Sequence, residues 1–189
     1  MHVLDLLLTQ VRANRLANHR LLAALAPLGE AEFAGPRVGF FPSLALTLNH
    51  VLAVDIYYID ALHGLADMET RYRAFRPCRT VAALGEHQAA SDERLIAFCA
   101  ALRPGDELRD IALDRGREIQ HSPLAYVLQH LLMHQTHHRG QAHAMLSSTA
   151  IAPPQLDEFL MPSDAALHRA DLAALGWPAD ALFSGMQTA

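Results

Sequence analysis

From Val3 to Leu25 the apolar residues Leu4, Leu7, Leu8, Val11, Leu16, Leu22 and Leu25 keep to one broad stripe at the helical repeat, and helical periodicity dominates the long segments that follow. A chain patterned this way buries its stripes by packing helix on helix. Asn14, Asn18 and His19 interrupt the first stripe with polar groups, and Pro27 and Gly29 end it. Residues 30–43 then read as a loop whose last residue, Ser43, caps a second helix running to Gly64. A third helix is expected from an N-cap at Thr80 to Arg103, stopped by Pro104 and Gly105.

One strand-like piece follows. Leu108, Ile111, Leu113 and Ile119 alternate around Asp114-Arg115-Gly116 and predict a short hairpin. Pro123 suits the first turn of a fourth long helix, which continues to about Ser148 before Pro153 and Pro154 break it. The expected architecture is all-α: a four-helix bundle over residues 1–150 with a short β-hairpin before the last long helix. Residues 151–189 are expected as a short helical C-terminal extension packed on the same domain, loose after Trp177. Intervening loops of about 12 to 20 residues permit crossovers, so simple up-down order is not assumed.

Charge narrows the partners. The formal net charge is −5, and all fifteen basic residues are arginines scattered along the chain. Such a chain lacks the basic, aromatic-interleaved surface that holds nucleic acid. Its start has no basic segment ahead of an apolar one, and apolar runs stop well short of the ~20 residues a membrane span needs, so a cytoplasmic protein away from membranes is expected. Cys78 and Cys99 are too few for a disulfide framework or a thiolate zinc site.

Histidine is the compositional outlier. Six of the twelve fall between His121 and His143, where uniform scatter would put about one or two. With His134 as the zero direction on the fourth helix, His138 and His130 lie about 40° to either side. Val127, Gln141 and Met145 share that arc, His137 sits at its edge and His143 points away. His134 and His138 can therefore present imidazole nitrogens to one ion, as HExxH helices do, although Gln135 stands where that motif has its general-base glutamate. A third ligand must come from another helix, and His50, midway along the second among Leu46, Val51 and Val54, is the best candidate. Asn49, Asp55, Tyr57 and Gln141 are candidate partners for the outer ring nitrogens. Gln141 is also positioned to order a water at the site. His130 and His137 are further pocket groups, as proton carriers or as water-satisfied side chains. His2, His19, His63, His87 and His168 read as solvent-facing or capping residues, and His121 as a turn residue beside a pocket. A metal site and a hydrogen-bonded core network of histidines both satisfy this pattern.

The string from His130 to Leu146, HLLMHQTHHRGQAHAML, preceded by SPLAYVL and by a distant TLNHVLAVD, resembles the DinB-like family of damage-inducible four-helix bundles. Its most specific piece is HQTHHRGQ, His134 to Gln141, and the likeness covers approximately residues 1–150. The resemblance implies a three-histidine metal site, carried here by His50, His134 and His138, for one divalent transition ion; imidazole ligands suit zinc, nickel, copper and iron, with zinc or nickel expected first. It further implies a metal-dependent enzyme acting on a small molecule, of the thiol-dependent transferase or isomerase type using a low-molecular-weight thiol. A metal-dependent hydrolase and a non-catalytic stress-response binding bundle are the alternatives, and homodimers are frequent among such bundles. Within the same motif, Gly140 is expected to admit a close neighbouring helix, and Arg139 to pair with a carboxylate.

Overall fold

A computed structural model describes residues 3–157 and 161–183. Four long helices carry it: α1 (Val3–Leu25), α3 (Leu44–Leu62), α5 (Val81–Ala100) and α6 (Leu124–Leu146). The two anticipated N-caps are in place, Ser43 Oγ accepting from Leu46 N and Thr80 Oγ1 from Ala83 N, each at 3.1 Å. Gly64 takes the left-handed conformation past the end of α3, with φ of 67°. α5 ends at Ala100, short of Arg103, because Pro104 disfavours helix at the residue before it and Gly105 turns the chain with φ of 99°.

Two short helices lie where loop or nothing was expected. α2 (Glu30–Ala34) plants the fully buried Phe33 beneath the α1–α3 connection, and α4 (Met68–Arg73), in the α3–α5 connection, buries Met68 in the apolar cluster that holds Tyr57 and Tyr58. Five or six residues are too few to show a helical stripe, so each is held by its single anchor rather than by propensity. In the hairpin, β1 (Asp110–Asp114) pairs antiparallel with β2 (Ile119–Pro123), Asp114 opposite Ile119. The connecting turn is wider than the expected Asp114–Gly116: it spans residues 115–118, closed by Arg115 N donating to Glu118 O at 2.9 Å. Ile111 and Leu113 face the core, whereas Leu108 and Ile119 are exposed.

α1 packs on α5 and α6, and α3 packs on the same two helices. Pairings fix the directions. Asn18 meets Asp92 and Arg15 meets Glu93, so α1 and α5 are antiparallel. Asp55 meets Gln88 and Asp60 meets Arg94, so α3 and α5 run parallel, joined by a crossover that carries α4. Thr47 meets Met145 while His50 meets His134, making α3 and α6 antiparallel.

Two apolar clusters fill the ends of the bundle, one around Leu7, Tyr58, Leu95, Leu113 and Leu128, the other around Leu25, Phe33, Leu48, Leu84 and Leu146. Between them every long helix contributes buried polar residues: Asn14 and Asn18, Asp55, Gln88 and Asp92, Gln135 and Arg139. Two of the polar interruptions of the first stripe, Asn14 and Asn18, are thus core groups facing partners on other helices.

The extension continues through a 3-10 turn (Pro162–Asp164) and α7 (Arg169–Ala174). Leu172 and Leu182 pack on Ala13, Leu16 and Ala17 of α1, so the chain after Trp177 is not loose where it is described. Arg20 ties this segment down through Asp171 and the Leu167 carbonyl. His168, expected as a solvent-facing or capping residue, stands at the N-cap position of α7 but is fully buried, with neither ring nitrogen bonded among the described residues. His63 and His87 are exposed, His19 is half-buried, and His2 lies outside the described residues. No helix among the described residues is long and apolar enough to cross a membrane.

Candidate metal centre

The antiparallel seam of α3 and α6 sets His50 opposite one turn of α6 bearing His134 and His138. Nε2 of His50 lies 3.0 Å from Nε2 of His134, and one ligand atom from each of the three rings lies within 4.8 Å of the others. Two imidazole nitrogens bound about 2.0–2.1 Å from one ion stand roughly 2.9–3.4 Å apart for angles from a right angle to tetrahedral. The His50–His134 pair falls in that range, and the His138 nitrogen lies within 4.8 Å of both. Phe41, from the loop before α3, covers one side, its ring centroid 4.6 Å from that of His50 and 5.6 Å from that of His138. Sequence reasoning missed Phe41, which sits in a loop with no periodicity to place it.

The rings are kept neutral. Burial, then the neighbouring His138, lowers the pKa of His50. His134 is pushed down to about 3, first by burial and then by the surrounding histidines. Burial also lowers His138, although its bond to Gln141 works the other way. Neutral imidazoles with converging lone pairs are the donor set a divalent transition ion takes, so these residues fit one.

Of the anticipated outer partners only Gln141 touches a ligand. His138 Nδ1 donates to Gln141 Oε1 at 2.8 Å, which turns His138 Nε2 toward the centre. The Gln141 amide nitrogen in turn contacts His137 Nε2 at 3.0 Å, so Gln141 bridges two rings. Asn49 instead grips the backbone N–H and carbonyl of Cys78. Asp55 accepts from Gln88 and Gln135, and Tyr57 donates to the Asp114 carbonyl. His134 Nδ1 is buried and has no partner among the described residues.

The rest of the motif departs from expectation in two places. Arg139 is buried but meets no carboxylate directly among the described residues: Nη1 donates to Asn14 Oδ1 and Asn18 Oδ1, and Asn18 in turn bonds Asp92. The amide oxygens accept the guanidinium's protons, while the buried Asp92 and Asp55 act on its charge from beyond them. A Cβ on Gly140 would meet nothing within 4 Å, so no helix approaches there; Gly140 faces outward.

A cavity of about 290 Å³ opens beside the histidines, with His134 and His130 on one wall and Tyr57, Tyr58 and Tyr72 on another. Glu69, Asp114 and Arg115 complete its rim. His130 is exposed, its ring 5.2 Å from Tyr58 and 6.5 Å from His134. His121 lies on the hairpin, bonded to Asp110 across the strands. Four-helix geometry, the hairpin and three histidines on facing helices are thus in place, and the sequence profile of the DinB family matches residues 2–169.

The chain belongs to the DinB family. No curated protein matches it significantly. Within this DinB chain, His50, His134 and His138 form the group able to hold a metal ion among the described residues.

Proposed function

We propose that this DinB-family chain is a metal-dependent enzyme acting on a small molecule, with His50, His134 and His138 as the ligands of one divalent ion, zinc or nickel. The observation that carries the reading is three neutral histidines converging at the edge of an open cavity, His134 being common to both. When bound, such an ion supplies the positive charge that favours a thiolate over a thiol, or a hydroxide over water. The chain's own residues do the rest. Gln141 holds the tautomer and aim of His138, Phe41 keeps water from one face of the ligand rings, and the tyrosine wall gives the substrate an apolar surface. We favour transfer or isomerisation that uses a low-molecular-weight thiol over hydrolysis. Gln135, at the position a zinc-protease helix gives to its general base, is buried and bonded to Asp55, away from the cavity. That same feature favours the competing reading, a bundle that binds metal without turnover.

Elemental analysis of untagged protein, purified without added metal, beside the His50→Ala/His134→Ala double variant tests the site. About one equivalent in the native protein and little in the variant is expected. Equal metal in both would reject these ligands. A screen of metal-loaded protein across thiols and electrophiles then tests catalysis, and no turnover would favour the binding bundle.

A further inference from the structure

The wider turn of the hairpin puts a cation where the sequence offered only a turn residue. Arg115 stands at the rim of the cavity that His134 lines, its guanidinium carbon 5.5 Å from the ring centroids of both Tyr57 and Tyr58. Nη2 donates to the Tyr58 hydroxyl at 3.1 Å and Nε to Gln120 Oε1 at 3.0 Å. These contacts aim the guanidinium without neutralising it: among the described residues no carboxylate lies within ion-pairing distance of Arg115. The two acids on the same rim are engaged elsewhere. Glu69 pairs with Arg73 at 2.6 Å, and Asp114 Oδ1 accepts from Gly116 N at 2.8 Å. Gly116, with φ of 80°, lets the Glu69 side chain lie against the turn. Arg115 is thus an oriented cation on the rim of the cavity that His134 lines, with Asp114 and Glu69 nearby but not paired with it.

We propose that Arg115, with the Tyr58 hydroxyl, binds the carboxylate of a small-molecule substrate and so directs the other end of that molecule toward His134. A guanidinium held in a fixed plane matches a carboxylate with two parallel donors, and its contact with two tyrosine faces limits the freedom lost on binding. A monoanion suits the rim better than a doubly charged phosphate, because Glu69 and Asp114 stand nearby. This assignment rests on reading the cavity as the substrate site, yet it does not need the ion.

The test is an NMR titration of the intact protein with benzoate, its neutral counterpart benzamide, and inorganic phosphate, with and without a chelator. Benzoate is expected to bind in both conditions and at least tenfold more tightly than benzamide or phosphate. Arg115→Gln should weaken benzoate at least tenfold and leave benzamide unchanged, while Arg115→Lys should recover part of the loss. Because Arg115 is exposed at a hairpin turn, thermal melts of both variants should overlay the native curve. Unchanged benzoate affinity in Arg115→Gln overturns the proposal. So does benzoate binding that disappears with the chelator, which would place the anion at the histidines. Arg115-dependent benzoate binding by protein that retains no metal would support this site while rejecting the metalloenzyme reading.

Discussion

Nδ1 of His138 donates to Oε1 of Gln141 one turn further along α6, at 2.8 Å. A ligand histidine is defined as much by this outer bond as by its inner lone pair, because the bond selects the tautomer and fixes the ring plane. Gln141→Ala removes the acceptor and frees both His138 and His137. Metal affinity, measured by competition with a chromophoric chelator, is expected to fall about 10- to 100-fold, with the bundle's helicity unchanged.

His50 is the only one of the three rings supplied by α3, so an ion held there ties α3 to α6. Metal-loaded native protein should gain about 2.7 kcal/mol at a free-metal concentration of 100 times Kd. His50→Ala should lose most of that gain. Thermal melts with and without metal check this, and a metal-dependent gain that persists in the variant would remove His50 from the site.

Arg139 is the hub of the polar layer between the two apolar clusters, and burial draws its pKa below the usual value while Asp92 and Asp55 oppose that shift. Arg139→Met keeps the length but strands the oxygens of Asn14 and Asn18 and leaves the buried acids without their cation. Urea denaturation should register a loss of about 3–5 kcal/mol, the cost typical of breaking a buried charged group's partnership. A change below about 1 kcal/mol, the scale of an exposed pair, would mean that water enters the layer.

Burial pushes the Asp92 carboxyl up to about 6, against the opposing bonds from Asn18 and Gln88. The folded chain therefore holds a proton there that the unfolded chain, titrating near 3.8, releases. This contribution is fully present below the unfolded value and is lost as pH rises through the folded one, so it declines between about pH 4 and 6 and is flat above. The buried histidines act with the opposite sign: their lowered values give stability that is lost as pH falls below their ordinary 6.5. The measurement is accordingly a difference. Subtracting the pH–stability curve of Asp92→Asn from that of the native protein should isolate the declining component, and identical slopes in the two proteins would contradict it.

Gly140 occupies the interior of α6 with open space where a side chain would sit. Gly140→Ala should stabilise the protein by about 0.8–1 kcal/mol through helix propensity alone, checked by urea denaturation. Destabilisation would mean that another molecule packs against that face.

Local rules carried the sequence a long way. Ser43 and Thr80 announced the starts of α3 and α5 because a cap needs only its own next turn, and His134 with His138 share a face because four residues make nearly one turn. The same rules were blind to α2 and α4, which exist through Phe33 and Met68 anchoring in the core. They misread Gly140 and His168 as well, since burial is set by what packs on a residue.

What the sequence determined by itself is therefore the four long helices, the caps of α3 and α5, the hairpin and the pair of histidines on one face of α6, all properties of neighbours along the chain. The tertiary structure alone decided that His50 meets His134, that Asn14 and Asn18 receive Arg139, and that Arg115 overlooks the cavity. Each joins residues far apart in sequence. Their meeting depends on which helices are neighbours and in which direction each runs, a choice made by the burial of whole faces and written in no single spacing.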